Sequence, residues 1–240
     1  MMEIPSHYSI KKYMYPFLES KLEVCFYYNN IDDSWYNGTY SNTHRMCTHK
    51  FGYQNIMGHT HPLRNTIHPI YPDEVNYYPS FEDIILPITQ PINTKNYILT
   101  PIGLFISSYT NDNSIDNIEK YRDDINSLFY PLHVLTNNFT TSHSLVDISQ
   151  QINKSIEIHI YSICDSVKKY IIDNIVNGRD YNLEYININR INSSSGGSSI
   201  NRINSSSGGS SRGSLLKHIY HKKYKKYKKK YKFFKKKNTY

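Results

Sequence analysis

The 240-residue chain contains no alanine. Asn, Ile, Lys, Ser and Tyr are abundant instead, the bias expected of AT-rich coding sequence, so the many Asn and Tyr residues carry little functional weight. Cysteine is scarce. Cys25, Cys47 and Cys164 are too few and too scattered to form a disulfide framework, and reduced cysteines are expected. Long apolar runs are missing as well. The longest candidate, Tyr97 to Ile106, is broken by Thr100, Pro101 and Gly103, well short of the roughly 18–20 residues that span a bilayer. The N-terminus shows no charged segment followed by an apolar one, so no secretory signal is expected. These absences together lead to the expectation of a soluble, intracellular protein with no transmembrane segment.

Charge of one sign is missing from the C-terminus. Arg212 to Tyr240 holds 13 Lys or Arg and no Asp or Glu, leaving 15 basic and 20 acidic residues in 1–211. The formal +8 therefore belongs to a tail, and the rest of the chain is mildly acidic. The tail interleaves Lys pairs with Tyr and includes Phe233 and Phe234, a composition suited to phosphate backbones and base stacking. It is expected to be disordered and to bind nucleic acid or another polyanion non-specifically, or to act as a nuclear-targeting or membrane-surface patch.

What is present reads as alternating helices and strands. Residues 9–20 place Ile10, Tyr13, Met14, Phe17 and Leu18 at helical spacing, with Ser9 as N-cap and Pro16 kinking or shortening the helix. Leu22–Tyr28 reads as a strand, as do short runs at Trp35–Tyr40, Arg45–His49 and Asn55–His59. Residues 63–79 hold three prolines and form a loop. Ser80 opens a helix that Pro87 stops, and Tyr97–Ser108 is a strand with a Thr-Pro-Ile-Gly turn inside it. A helix over Ile115–Phe129 and one long helix from Asp147 to Asn177 follow. The block Ile188–Ser199 (INRINSSSGGSS) recurs as Ile200–Ser211 and is too polar to bury a core. The expected domains are a folded region over 1–185, a Gly/Ser/Asn-rich linker over 186–214 and a basic tail over 215–240. The expected fold class is α/β (α+β), a mixed sheet flanked by helices.

One constellation carries chemistry. His59 and His61 stand two apart at a strand end, where the period-two geometry sends both imidazoles to one face. Zinc accepts His nitrogen and carboxylate oxygen, and a catalytic zinc takes three protein ligands. Asp83, at the start of the helix opened by Ser80, is the natural third. Ser80-x-x-Asp83 is equally the pattern of a helix capping box, so the two uses compete. His44, Cys47 and His49 form a second metal-capable cluster without an evident fourth ligand, and His68 is read as facing water. Cys25 has no basic neighbour to activate it and reads as a buried strand residue.

His59-Thr60-His61-Pro62 followed by Ser80-Phe81-Glu82-Asp83 resembles the signature of the JAMM (MPN-plus) metalloproteases, and its spelling is similar to JAMM domains of large DNA viruses. Leu22-Glu23-Val24-Cys25 resembles the segment that supplies that family's general base. The resemblance covers roughly residues 7–130. It implies a cytidine-deaminase-like core, a zinc ion on His59, His61 and Asp83, Glu23 as base and Ser80 as oxyanion donor. It also implies hydrolysis of peptide or isopeptide bonds in a ubiquitin-like or other polypeptide substrate. Phe26 departs from the pattern, which has Gly there, and 63–79 is longer than usual. The competing readings are a catalytically silent MPN-like scaffold and a nucleic-acid-binding protein acting through its tail.

Overall fold

The computed structural model describes residues 4–20, 23–37, 56–63, 77–111, 115, 117–136, 144–176 and 180–194. They form a six-stranded mixed sheet in the order β2-β1-β3-β4-β5-β6, with helices on both faces. The strands are β1 (Cys25–Asn29), β2 (Ser34–Asn37), β3 (Ile56–Thr60), β4 (Lys95–Thr100), β5 (Gly103–Tyr109) and β6 (Tyr181–Asn187). The helices are α1 (His7–Tyr13), α2 (Phe81–Thr89), α3 (Arg122–Thr136), α4 (Leu145–Gln151), α5 (Lys154–Asn174) and α6 (Ile188–Asn192). Among the described residues, all pairs of neighbouring strands are antiparallel except β3 with β4. A parallel pair needs a crossover, and α2 lies in it.

The central strands explain the layers. Every residue of β3 is buried, as a strand covered on both faces must be. A Cβ on Gly58 would meet the Tyr97 carbonyl at 2.8 Å, Met14 Cε at 3.0 Å and Trp35 at 3.2 Å, so this glycine lets α1 and β2 pack tightly on one face. The next side chain, His59, points to the opposite face, where α2 lies. Ile10, Met14, Leu18, Phe26, Trp35 and Tyr97 belong to one continuous core with Ile84, Ile98, Phe105, Leu132 and Val167. Burying each such side chain contributes about 1.5–3 kcal/mol.

Several sequence expectations shift. The cap of α1 is Ser6, whose Oγ accepts from the Ser9 amide at 3.0 Å. Ser9 is buried, and its hydroxyl accepts from Trp35 Nε1 at 3.2 Å. The helix gives way to a 3₁₀ segment, Tyr15–Glu19, with Pro16 in its first turn. Strand β1 starts at Cys25, and Val24 just before it is tied to Thr60 of β3 by its carbonyl, which accepts from the Thr60 amide at 3.0 Å, and by its amide, which donates to Thr60 Oγ1 at 3.2 Å. Pro87 does not stop α2, which runs through it to Thr89. The single helix expected over 147–177 is two, α4 and α5, with Asn153 capping α5 by accepting from the amides of Ser155 and Ile156. The turn within 97–108 makes β4 and β5 a hairpin.

The largest shift is at the C-terminal end. Strand β6 pairs with β5 from Tyr109–Tyr181 to Gly103–Asn187, and α6 follows at once with Ile188 and Ile191 fully buried. The folded region therefore passes the expected end at residue 185 and takes in the start of the first repeat copy. Cys25 is buried as expected, yet it is disulfide-bonded, contrary to the expectation of reduced cysteines; Cys164 is free. The expected strand at Arg45–His49, the cluster of His44, Cys47 and His49, His68, the second repeat copy and the basic tail lie outside the described residues. Among the described residues no helix is long and apolar enough to cross a membrane.

Candidate metal centre

Two pieces of backbone meet at the site. β3 carries His59 and hands on to His61, whose amide donates to the Leu99 carbonyl of β4 at 2.9 Å. The chain then turns back, with Leu63 donating to Leu18 at 2.7 Å, so both sides of the His-x-His segment are anchored. The imidazoles converge as the strand geometry predicts, with Nε2 atoms 3.0 Å apart and ring centroids 5.0 Å apart. α2 supplies the third group. Asp83 Oδ1 lies 3.0 Å from His59 Nε2, and Asp83 Oδ2 lies 3.3 Å from His61 Nε2.

The capping box and the site turn out to share one carboxylate. Asp83 Oδ2 accepts from the Ser80 amide at 2.8 Å and from the Ser80 hydroxyl at 2.9 Å, while the Asp83 amide donates to Ser80 Oγ at 3.3 Å. The cap fixes the Asp83 rotamer, and its other oxygen is left to face His59. Glu23 stands further out. Its Oε1 is 3.8 Å from His61 Nε2, and its side chain is 25% exposed against 3% for His61, 7% for His59 and 15% for Asp83. The carboxylate at the mouth is therefore Glu23, and the carboxylate in the floor is Asp83. Phe26, the departure from the JAMM pattern, packs edge-on against Phe17 at 5.3 Å. Strand alternation puts it on the face opposite Glu23.

The electrostatics ask for a cation. Burial alone would lower the His61 pKa, but its hydrogen bond with Asp83 and the charges of Glu23 and Asp83 outweigh burial and push it up to about 9. Burial alone would raise the Asp83 pKa, but the charge and hydrogen bond of His59 and the hydrogen bond of His61 hold it well below the usual carboxylate range. Two imidazole nitrogens aimed at each other and at a carboxylate can be bridged by a proton or by a metal ion. The three groups, and no other set of His, Cys, Asp and Glu among the described residues, have ligand atoms within 4.8 Å of one another. Tetrahedral zinc with bonds of about 2.0–2.1 Å keeps its ligands about 3.3 Å apart, close to the 3.0 to 3.3 Å seen here. The donor set, two imidazoles and one carboxylate, fits zinc.

The structure thus brings together all five residues singled out in the sequence: His59, His61 and Asp83 as the convergent set, Glu23 at the mouth and Ser80 beneath Asp83. Sequence reasoning missed those that hold them. Thr60 Oγ1 accepts from the Val24 amide at 3.2 Å, next to Glu23. Asn96 and Ser107 both donate to the Asp83 carbonyl at 3.0 Å. A signal for the latter pair was present, since proline stands four residues after Asp83.

No protein-family model, no curated protein and no solved structure matches the chain.

Proposed function

We propose that this protein is a zinc-dependent metallopeptidase of the JAMM type, hydrolysing peptide or isopeptide bonds and removing ubiquitin-like modifiers. The observation that supports it most is the convergence of His59, His61 and Asp83, with a second carboxylate held at the mouth of the set. His59 Nε2, His61 Nε2 and an Asp83 oxygen would hold the metal. Zinc, when bound, supplies Lewis acidity, polarising the scissile carbonyl and acidifying water.

The chain's own residues do the rest. Glu23 lies close enough to His61 to hold a water by hydrogen bond at the edge of the set, take its proton and pass that proton to the leaving amine. Its position at the solvent edge leaves room for a polypeptide to reach it. Ser80 is the candidate oxyanion donor. Its hydroxyl points to Asp83 Oδ2, and turning it to the substrate leaves the Ser80 amide still donating to that oxygen. The β3 end and the first turn of α2 hold these groups on rigid elements, as precise positioning requires.

A zinc assay paired with cleavage of linked di-ubiquitin tests the proposal. The native chain should bind about one zinc, lost in His59→Ala and in Asp83→Ala. Glu23→Gln should keep zinc and lose cleavage. A native chain that takes up no zinc overturns the metal centre, and zinc without cleavage of this substrate overturns the assignment to ubiquitin-like modifiers.

A further inference from the structure

Asp83 occupies a peculiar place in its helix. In an α-helix its carbonyl accepts from the amide of residue 87. Residue 87 is Pro87, which has no N–H and whose ring crowds the carbonyl four residues before it. The carbonyl of the metal-site aspartate is therefore orphaned by the sequence of its own helix.

The sheet fills the gap. Asn96 Nδ2 of β4 and Ser107 Oγ of β5 each donate to Asp83 O at 3.0 Å. The two are direct cross-strand partners, so one rung of the β4–β5 hairpin presents both donors together. Both residues are fully buried. Asn96 holds its place at a cost, because its Oδ1 is buried with no hydrogen-bond partner among the described residues. A buried, half-satisfied amide is a poor way to stabilise a sheet, and an apolar residue would serve β4 better. What Asn96 does achieve is the bond to Asp83.

We infer that Asn96 and Ser107 are positioning residues for the metal centre, and that Pro87 is what makes them necessary. Proline releases the Asp83 carbonyl from the helix, and the sheet clamps it. Because β4 lies directly beside β3, with Ile98 in register with His59, the clamp ties the carboxylate's backbone to the strands that carry the imidazoles. A helix bonded only to itself could shift as a unit against the sheet. Here the first turn of α2 is bolted to the sheet at the residue that must meet His59 and His61. The inference rests on the zinc reading above.

The test uses the full chain and zinc alone, with affinity measured by competition against a chromophoric chelator and folding checked by circular dichroism. Ser107→Ala and Asn96→Ala should each weaken zinc binding about 10- to 100-fold, the range for lost outer-shell support. Pro87→Ala returns an amide to position 87 and should leave native affinity within about twofold. Combined with Ser107→Ala, it should recover most of the lost affinity, because the helix can then satisfy Asp83 itself. This rescue separates positioning from general loss of fold, which an added helix amide would not repair in zinc affinity. A native chain that binds zinc while Ser107→Ala and Asn96→Ala bind equally well overturns the clamp. So does a loss that Pro87→Ala fails to restore. A native chain that binds no zinc overturns the metal centre itself.

Discussion

Ser80 and Asp83 hold each other three times over, with amide and hydroxyl of Ser80 both on Asp83 Oδ2 and the Asp83 amide on Ser80 Oγ. The cap and the proposed ligand are one device, so Ser80→Ala should act on two properties at once. Loss of the N-cap costs about 1 kcal/mol of stability. Zinc affinity should fall less than 10-fold, since the residue-80 amide still holds Oδ2. If the hydroxyl also serves the oxyanion, cleavage falls about 100-fold or more at saturating substrate. A cleavage loss no larger than the loss of zinc occupancy would reduce Ser80 to a cap.

Thr60 ties the residue after Glu23 to the strand that carries His59. Its amide donates to the Val24 carbonyl at 3.0 Å, and its hydroxyl accepts the Val24 amide at 3.2 Å. Both bonds fall on the residue after Glu23. Thr60→Val keeps shape but leaves the Val24 amide without its partner, which should cost about 1–3 kcal/mol of stability. A small displacement of a reacting group is expensive in rate, so kcat should fall about 10-fold or more while KM and zinc content stay near native. Thr60→Ser, which retains the hydroxyl, should restore kcat. Equal kcat in the Val and Ser variants would remove Thr60 from the positioning of Glu23.

Much of this site was legible in the sequence because its geometry is local. The spacing of His59 and His61 on a strand, and of Ser80 and Asp83 on a helix start, decides which side chains share a face. What was not legible comes from pairing between elements. Thr60 meets Val24, and Asn96 meets Ser107 and Asp83, only once the strand order and register are fixed. The long helix failed for a related reason. Ile152 continues the apolar period into α5, but Asn153 accepts two helix amides and starts a new helix there.

Asp33 provides the pH dependence away from the metal set. It sits at φ 48° in the β1–β2 turn, accepting from the Ser6 amide at 3.1 Å, from the Ser6 hydroxyl and from Tyr28 Oη at 2.8 Å. Burial pushes its pKa up, but those hydrogen bonds outweigh burial and lower it below the ordinary value of 3.8. A carboxyl depressed in the folded state contributes stability that is fully present above its unfolded pKa and is lost as pH falls through the folded one. Native protein should therefore lose more stability than Asp33→Asn on going from pH 5 to below about 3, measured by urea denaturation. Parallel losses in the two proteins would show that the turn carboxylate does not couple folding to protons.

The C-terminal edge supplies the last expectation. In β6, Tyr181, Leu183, Tyr185 and Asn187 are buried and alternate with Asn182, Glu184 and Ile186, a period-two pattern that runs straight into the repeat. α6 then buries Ile188 and Ile191 completely, while Lys11 of α1 donates to the carbonyls of Asn192 and Ser194. Low complexity hides this function of INRIN, because the same five residues recur from Ile200 to Asn204. Removing a fully buried Ile side chain down to Ala costs about 2–5 kcal/mol. Ile188→Ala and Ile191→Ala should each lower stability by that amount, measured by urea denaturation. A chain ended at residue 185 should lose its cooperative transition, since it lacks the last rungs of β6 and all of α6. If that truncation melts like the full protein, α6 is not part of the cooperative fold.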